Sequence, residues 1–234
     1  MQLRLLSLPL PLPLLFAIGA RAAFAQAHVV DEGTLVLTRG GAPLGTETFR
    51  LTTGNPGRPE VVRLTARVAA AEHQITCSLS ADSSGTPLDY SVTAKSGGSQ
   101  ALDVKGSAMP RGFLFRSNDH QGNESTREFA VNAGSTIILD DDLYHQFALI
   151  ALKPRPSGAS LKVISPRSSR ESTLTLAAAG LESIDVGGRS VTATRYVLSG
   201  GGTRREFWID QKGRLLKVID PERKVVAVRE ELPK

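Results

Sequence analysis

The tightest cluster of titratable residues in the sequence is Asp140-Asp141-Asp142, with His145 three positions further on. Asp141 and His145 are four residues apart, so in a helix they share a face, where a carboxylate could orient a histidine acting as a general base. A metal site needs three or four convergent ligands, and only two are visible here, so we expect no bound metal. The plainer interpretation is that the aspartates cap a helix N-terminus, with His145 in its second turn.

Other patterns that could support catalysis are weaker. Cys77 shares strand parity with Ile75 and Leu79, which indicates a packed thiol and not a nucleophile. Gly97-Gly98-Ser99-Gln100-Ala101 departs from G-x-S-x-G at its last position and falls in a turn between two predicted strands, whereas the nucleophile elbow joins a strand to a helix. The sequence carries no phosphate loop, dinucleotide fingerprint or paired-cysteine motif. We therefore predict no catalytic residues and no cofactor.

The N-terminal segment predicts export. Arg4 precedes an apolar run, Leu5 to Ala20, that contains three prolines, and A-x-A sites follow at Ala25 and Ala27. One positive charge, a short apolar core and small residues at the end are typical of a secretory signal peptide, here residues 1–25 with cleavage after Ala25 or Ala27. We expect a periplasmic or secreted protein. The run is too short and too rich in proline to span a membrane, and no transmembrane segment is expected in the mature chain.

The mature chain, residues 28–234, is long enough for a single β-rich domain with its own core. Its 26 basic and 23 acidic residues leave a net charge of +3, and the basic side chains alternate with apolar ones, as in Arg63-Leu64-Thr65-Ala66-Arg67. That pattern is typical of a solvated sheet face, so nucleic acid is not an expected partner. With Cys77 as its lone cysteine, the chain forms no internal disulfide.

Apolar residues recur with period two along most of the chain, and turn residues interrupt them at short intervals. This predicts a mainly β fold: an antiparallel meander of about 12–14 strands forming a curved sheet or incomplete barrel. The pattern changes once, where the aspartates precede an apolar run that ends at Lys153-Pro154. Acidic residues at the start, a basic residue at the end and a following proline predict one short helix, about 141–153, laid into the concave side of the sheet.

Three consecutive strands are predicted between Arg205 and Arg229, with Asp210-Gln211-Lys212-Gly213 as the first turn. This loop length predicts Trp208 opposite Leu216 and Ile209 opposite Leu215, so that both faces of the sheet are apolar here. Other residues or a partner must then shield both apolar faces from water.

Several short segments resemble exported bacterial families of unknown function whose fold is similar to the half-barrel of the periplasmic lipoprotein carrier and its outer-membrane receptor. The segments are Gly45-Thr46-Glu47-Thr48-Phe49, Pro87-Leu88-Asp89-Tyr90, Glu206-Phe207-Trp208-Ile209-Asp210 and Gly213-Arg214-Leu215-Leu216-Lys217-Val218. The resemblance implies an incomplete barrel around a helix, with an apolar concave surface able to hold acyl chains. Unlike the receptor, the chain has no lipidated cysteine at the predicted cleavage site.

The function expected from these features is binding or transport of a hydrophobic small molecule, lipid or acyl chain in a half-barrel cavity. The predicted lining residues are Trp208, Phe113, Phe115, Phe147 and Ile150. One alternative is a non-enzymatic scaffold of the cell envelope, in which a protein partner or a second copy covers the outer face of the final strands. A second alternative is an envelope hydrolase using Asp141 and His145.

Overall fold

A computed structural model describes residues 27–55, 58–71, 73–152 and 155–233. The predicted signal peptide lies outside these residues. The chain forms one open, curved sheet of 15 strands, which confirms the mainly β prediction of a curved sheet or incomplete barrel around a short helix. The first part of the meander consists of β1 (His28–Arg39), β2 (Ala42–Asn55), β3 (Arg58–Ala70), β4 (His73–Ala81), β5 (Pro87–Ser96), β6 (Ser99–Met109), β7 (Gly112–Asp119) and β8 (Glu124–Ala130).

The second part of the sheet runs back towards the N-terminus and pairs with it. Its strands are β9 (Thr136–Ile138), β10 (Ala159–Ser165), β11 (Arg170–Val186), β12 (Arg189–Gly200), β13 (Thr203–Ile209), β14 (Leu215–Asp220) and β15 (Val225–Arg229). Strand β15 pairs antiparallel with β1, so the first and last strands meet in the middle of the sheet. Strands β8 and β9 form the two edges, and β9 is parallel to its neighbour β10.

The sheet has one strand more than the range predicted from the sequence. The short apolar run Ile137-Ile138-Leu139 forms much of the additional strand, β9, whose three residues are all buried. Three residues are too few for an alternating pattern, so period two cannot identify such a strand. In the described part of the chain, no helix is long and apolar enough to cross a membrane.

The helix begins later than the sequence predicts. Tyr144–Gln146 form a 3-10 turn, and the α-helix, α1, covers Phe147–Leu152. Asp142 has a positive φ of 57°, a left-handed conformation that cannot continue a right-handed helix. The apolar residues of α1 belong to one large core together with the inward-facing residues of strands from both parts of the sheet. The helix therefore lies in the concave side of the sheet, as predicted.

The last strands bury residues on both faces, but the predicted register is correct at only one of two positions. Ile209 pairs with Leu215, whereas Trp208 pairs with Lys217, because a bulge at this point leaves Leu216 without a partner residue. The bulge places Leu216 and Lys217 on the outer face together with Trp208. Leu216 packs in the same small outer cluster as the indole, and the Lys217 ammonium lies 4.9 Å from the centre of its ring.

Candidate functional site

A pocket of about 420 Å³ opens beside the C-terminal end of α1. Its apolar wall combines Ile150 from the helix, Leu176 from β11, Tyr196 from β12 and Phe207 and Ile209 from β13. The volume lies within the range of about 300–1,000 Å³ that is typical of small-molecule sites. The pocket is therefore large enough for part of an extended apolar ligand.

Aromatic packing fixes this wall. The rings of Tyr196 and Phe207 are stacked, with centroids 5.4 Å apart and planes 16° from parallel. Phe147 also packs against Phe207, with the two ring centroids 5.2 Å apart. Because Phe207 is fully buried, it links the helix to the sheet and holds the base of the pocket in place.

The rim of the pocket is polar, and the turn between β13 and β14 builds much of it. The Asp210 carboxylate accepts hydrogen bonds from the backbone N–H groups of Lys212 and Arg214, both at 2.9 Å. It also accepts from the Arg214 side chain at 2.8 Å. Asp210 is therefore committed to the turn, while Arg155 supplies another cationic side chain to the lining.

A buried carboxylate lies at the start of the helical segment. Glu47, on β2, accepts hydrogen bonds from the backbone N–H groups of Tyr144 at 3.0 Å and His145 at 3.1 Å, and it also contacts Nδ1 of His145. Both side chains are completely inaccessible to solvent. Glu47 thus satisfies the N–H groups that a helix start leaves unpaired, which is the role that the sequence assigned to the aspartates.

The aspartates have other partners. Asp140 accepts a hydrogen bond from the Tyr90 hydroxyl at 2.5 Å and another from Nε of Arg167 at 2.8 Å. Burial raises the pKa of Tyr90 well above its usual value, and the neighbouring Asp140 carboxylate adds to the shift. Burial alone would lower the pKa of Arg167, but Asp140 and other groups outweigh it and raise that pKa. The three side chains form a paired, buried network that ties β5 to the helical segment and to the turn after β10.

The structure separates the two residues of the predicted hydrolase site. Asp141 contacts Arg223 at 2.8 Å and Arg170 at 3.2 Å, whereas His145 is buried against Glu47. Asp141 precedes the helical segment, so the expectation that the two residues share a helix face is wrong. Among the described residues, no group of three or more histidine, cysteine or acidic side chains is arranged to hold a metal ion.

Cys77 is buried, and burial raises the pKa of its thiol to about 12. The hydrogen bond from Gln146 opposes this shift, and the nearby carboxylates of Asp140 and Glu47 add to it. A thiol with this pKa is protonated at neutral pH and is a poor nucleophile. The position of Cys77 thus agrees with its interpretation as a packed core residue.

The five predicted lining residues occupy three separate places. Ile150 lines the pocket, and Phe147 supports its wall through Phe207. Phe113 and Phe115 pack against each other, with centroids 4.7 Å apart, in an aromatic cluster at the other part of the sheet. Trp208 lies on the outer face, where Nε1 donates to Glu182 at 3.2 Å. The structure thus brings Ile150 and Phe147 together at the pocket and places the other three residues elsewhere. Trp208 faces outward because Phe207, Trp208 and Ile209 alternate across the two faces of the strand.

Sequence reasoning missed Tyr196, Phe207 and Glu47. Phe207 and Ile209 share strand parity, and this signal could have placed them together on the inner face, opposite to Trp208. The contact of Glu47 with the helix start offered no such signal, because its partners are about 100 positions away in the sequence. Its inward position could be suspected only from its parity with Phe49 and Leu51.

Comparisons with known proteins support the fold but give no activity. Residues 118–229, just under half of the chain, match the domain of unknown function DUF6134. The crystal structure of a beta-barrel-like protein of the domain of unknown function DUF1849, from Brucella abortus, is similar, with a TM-score of 0.51 and 9% identity over 88% of this chain and 96% of that chain. No curated protein matches. The chain thus resembles β-rich proteins of unknown function.

Proposed function

We propose that this protein is exported and binds a hydrophobic ligand, a lipid or acyl chain, in the pocket beside α1. The observation that carries the proposal is the composition of the pocket wall, where Ile150, Leu176, Tyr196, Phe207 and Ile209 converge from one helix and three strands. Transfer of apolar ligand surface from water to such a wall contributes about 25 cal/mol per Å². Few directed polar contacts are then needed for affinity.

The concave side formed by β5 to β8 offers less room for a ligand. The cluster of Tyr90, Phe113, Phe115 and Phe129 is closely packed and buried. Gly106 lies between these rings, where an added Cβ would be only 2.3 Å from Cε1 of Phe113. This cluster is a filled core, which supports the choice of the α1 end as the proposed ligand site.

The proposed export rests on the signal-peptide pattern of residues 1–25. The proposed carrier role rests on the resemblance to the lipoprotein carrier and receptor half-barrels, whose sheet likewise surrounds a helix. The similarity to the DUF1849 protein supports the barrel-like fold and adds nothing on the ligand.

The observation on which the scaffold alternative was based does not hold in this structure. It assumed that a partner covers the outer face of the final strands, but Trp208 and Leu216 are buried within the chain itself. Leu232, after the last strand, packs against this outer cluster. The residues described here thus provide the cover that the scaffold alternative assigned to a second protein.

Native mass spectrometry of the mature protein from a periplasmic extract tests the proposal. A bound mass in the range of a lipid or acyl chain, released by solvent extraction, is the expected result. Ala151 lines the pocket, so Ala151→Trp should fill it and abolish the adduct, whereas Ala178→Trp, at an exposed position of β11, should retain it. An unliganded wild type that also fails to bind added amphiphiles would contradict the proposal.

A further inference from the structure

Arg155 is a residue of the pocket lining whose positive charge has no acidic partner among the described residues. Its Nη1 atom is buried without a hydrogen-bond partner. Its Nη2 atom donates to the backbone oxygen of Gly134 at 3.5 Å, which is at the upper limit for a hydrogen bond. The guanidinium is therefore largely unsatisfied in the protein alone.

Other arginines that are at least partly buried are paired. Each of them lies within 4 Å of a carboxylate oxygen; the pairs are Arg167 with Asp140, Arg195 with Glu206, Arg205 with Asp220, Arg214 with Asp210, Arg223 with Asp141 and Arg229 with Asp31. Pairing is the usual way in which a folded chain compensates the lost hydration of a buried charge. Arg155, which lines the pocket beside α1, departs from this pattern.

The protonation behaviour of Arg155 agrees with this geometry. Burial lowers the pKa of its guanidinium, and no neighbouring carboxylate opposes that effect. Arg155 keeps its charge at neutral pH, because an arginine pKa lies far above 7. The side chain thus loses hydration without gaining a counter-charge, which is the arrangement expected where a ligand supplies the anion.

We propose that Arg155 binds the anionic head group, a carboxylate or a phosphate, of a single-chain amphiphile whose apolar chain occupies the pocket. This inference rests on the proposed function, since the pocket must first accept the chain. The guanidinium has the planar, forked geometry that pairs with both kinds of oxyanion. Asp210 does not neutralise the site, because its carboxylate is engaged by Arg214 and by the turn.

Isothermal titration with three probes of equal chain length tests this assignment. Dodecanoate and dodecyl phosphate, each below its critical micelle concentration, and dodecanol, below its solubility limit, are titrated into wild type, Arg155→Gln and Arg111→Gln. Arg111 is an exposed arginine in the turn between β6 and β7 and serves as the matched control. Acetate and inorganic phosphate are titrated as head groups without a chain.

Wild type and Arg111→Gln should bind at least one anionic probe about tenfold to a hundredfold more tightly than dodecanol, in line with a hydrogen bond to a charged group in a buried site. Arg155→Gln should bind dodecanol normally and lose this preference. The anionic probe that binds more tightly then shows whether the head group of the ligand is a carboxylate or a phosphate.

Four results would overturn the assignment. Equal binding of all three probes by wild type, or an anionic preference that persists in Arg155→Gln, would refute the role of Arg155 and leave the apolar pocket intact. Inorganic phosphate or acetate binding as tightly as the matching probe would indicate a site for free anions. Failure of wild type to bind any probe would refute both this inference and the proposed function.

Thermal unfolding gives a second readout that a structural arginine would not produce. Because the unpaired charge is costly to bury, Arg155→Gln should unfold at the same temperature as wild type or at a higher one. A clear fall in its unfolding temperature without ligand would show that Arg155 supports the fold, and would contradict the assignment.

Discussion

At the scale of single residues, the ion pair of Asp31 and Arg229 is notable for its burial inside the sheet. Arg229 also donates to the backbone oxygens of Leu215 at 2.5 Å and Glu32 at 2.8 Å. Gly33 makes room for it, since an added Cβ there would lie 2.6 Å from Nη1 of Arg229. Burial raises the pKa of Asp31 although Arg229 opposes the shift, so desolvation is a large cost at this site.

We therefore expect the pair to stabilise the fold only while both partners are present. Asp31→Asn leaves Arg229 buried and unpaired and should lower the free energy of unfolding by about 3–5 kcal/mol. The double variant Asp31→Asn with Arg229→Met should recover much of this loss, because no buried charge remains. Urea unfolding of the single and double variants measures both effects. Losses that simply add in the double variant would show that the two residues act independently.

Asp141 gives the fold a pH dependence. Burial alone would raise the pKa of this carboxyl, but the nearby Arg223, a hydrogen bond from Ser168 and other arginines outweigh that effect and lower it. A carboxyl whose folded pKa lies below its unfolded value stabilises the protein above the unfolded pKa of about 3.9. That contribution is lost as the pH falls through the lower, folded pKa.

Asp141→Asn should therefore weaken the dependence of the free energy of unfolding on pH below about pH 4. At pH 7 it should lower the free energy of unfolding by about 1.5 kcal/mol, as expected for lost hydrogen bonds to a charged group. Urea unfolding at a series of pH values measures how the free energy of unfolding depends on acidic pH. Adding Arg223→Gln to Asp141→Asn should weaken the pH dependence of stability little further. An acidic pH dependence in Asp141→Asn equal to that of wild type would contradict this role of Asp141.

At the scale of elements, Glu47 makes the position of α1 depend on β2. The helix has only six residues, too few to be stable alone, so its contacts with the sheet must hold it. Glu47→Gln keeps the shape of the side chain but replaces a charged acceptor by a neutral one. We expect a loss of about 1.5–3 kcal/mol in the free energy of unfolding.

Hydrogen exchange separates this local effect from a general one. In Glu47→Gln, the amides of residues 144–152 should exchange faster, while those of the paired strands β5 and β6 change less. Glu128→Gln, on the exposed face of the edge strand β8, is the matched control and should leave the helix amides unchanged. Uniform acceleration across the whole sheet would indicate that Glu47 supports the global fold and does not specifically anchor the helix.

The same elements show what the sequence could predict. Period two identified most strands, because burial of one face of a strand produces an alternation of apolar and polar residues. The break in that alternation, with its boundary residues, identified the helical region. Local pattern also placed Ile150 on the helix that lines the pocket. It could not find the bulge at Leu216 or the partner of Glu47, because both depend on strand pairing between distant segments. Local pattern likewise could not show that the aspartates pair with distant arginines and do not cap the helix.

At the scale of the whole molecule, the seam between β1 and β15 joins the two parts of the sheet. Elsewhere in the described sheet, antiparallel neighbours follow one another directly in the chain, whereas this pairing brings together Leu37 and Ala227. Ala227 also pairs with Val218 on β14 and is fully buried. Closing such a long loop has a large entropic cost. Favourable contacts in the rest of the fold must therefore form together with this pairing to offset that cost.

A proline at the seam should therefore disrupt the whole sheet. Ala227→Pro removes a backbone donor in a central strand, where proline is essentially not tolerated, and should abolish the single cooperative urea transition together with the near-UV circular dichroism of the packed aromatic residues. Thr126→Pro, on the edge strand β8, is the control and should retain both signals, because it disturbs pairing on one side only. A cooperative transition of unchanged slope in Ala227→Pro would show that the two parts of the sheet hold together without the seam, through the helix and the core that they share.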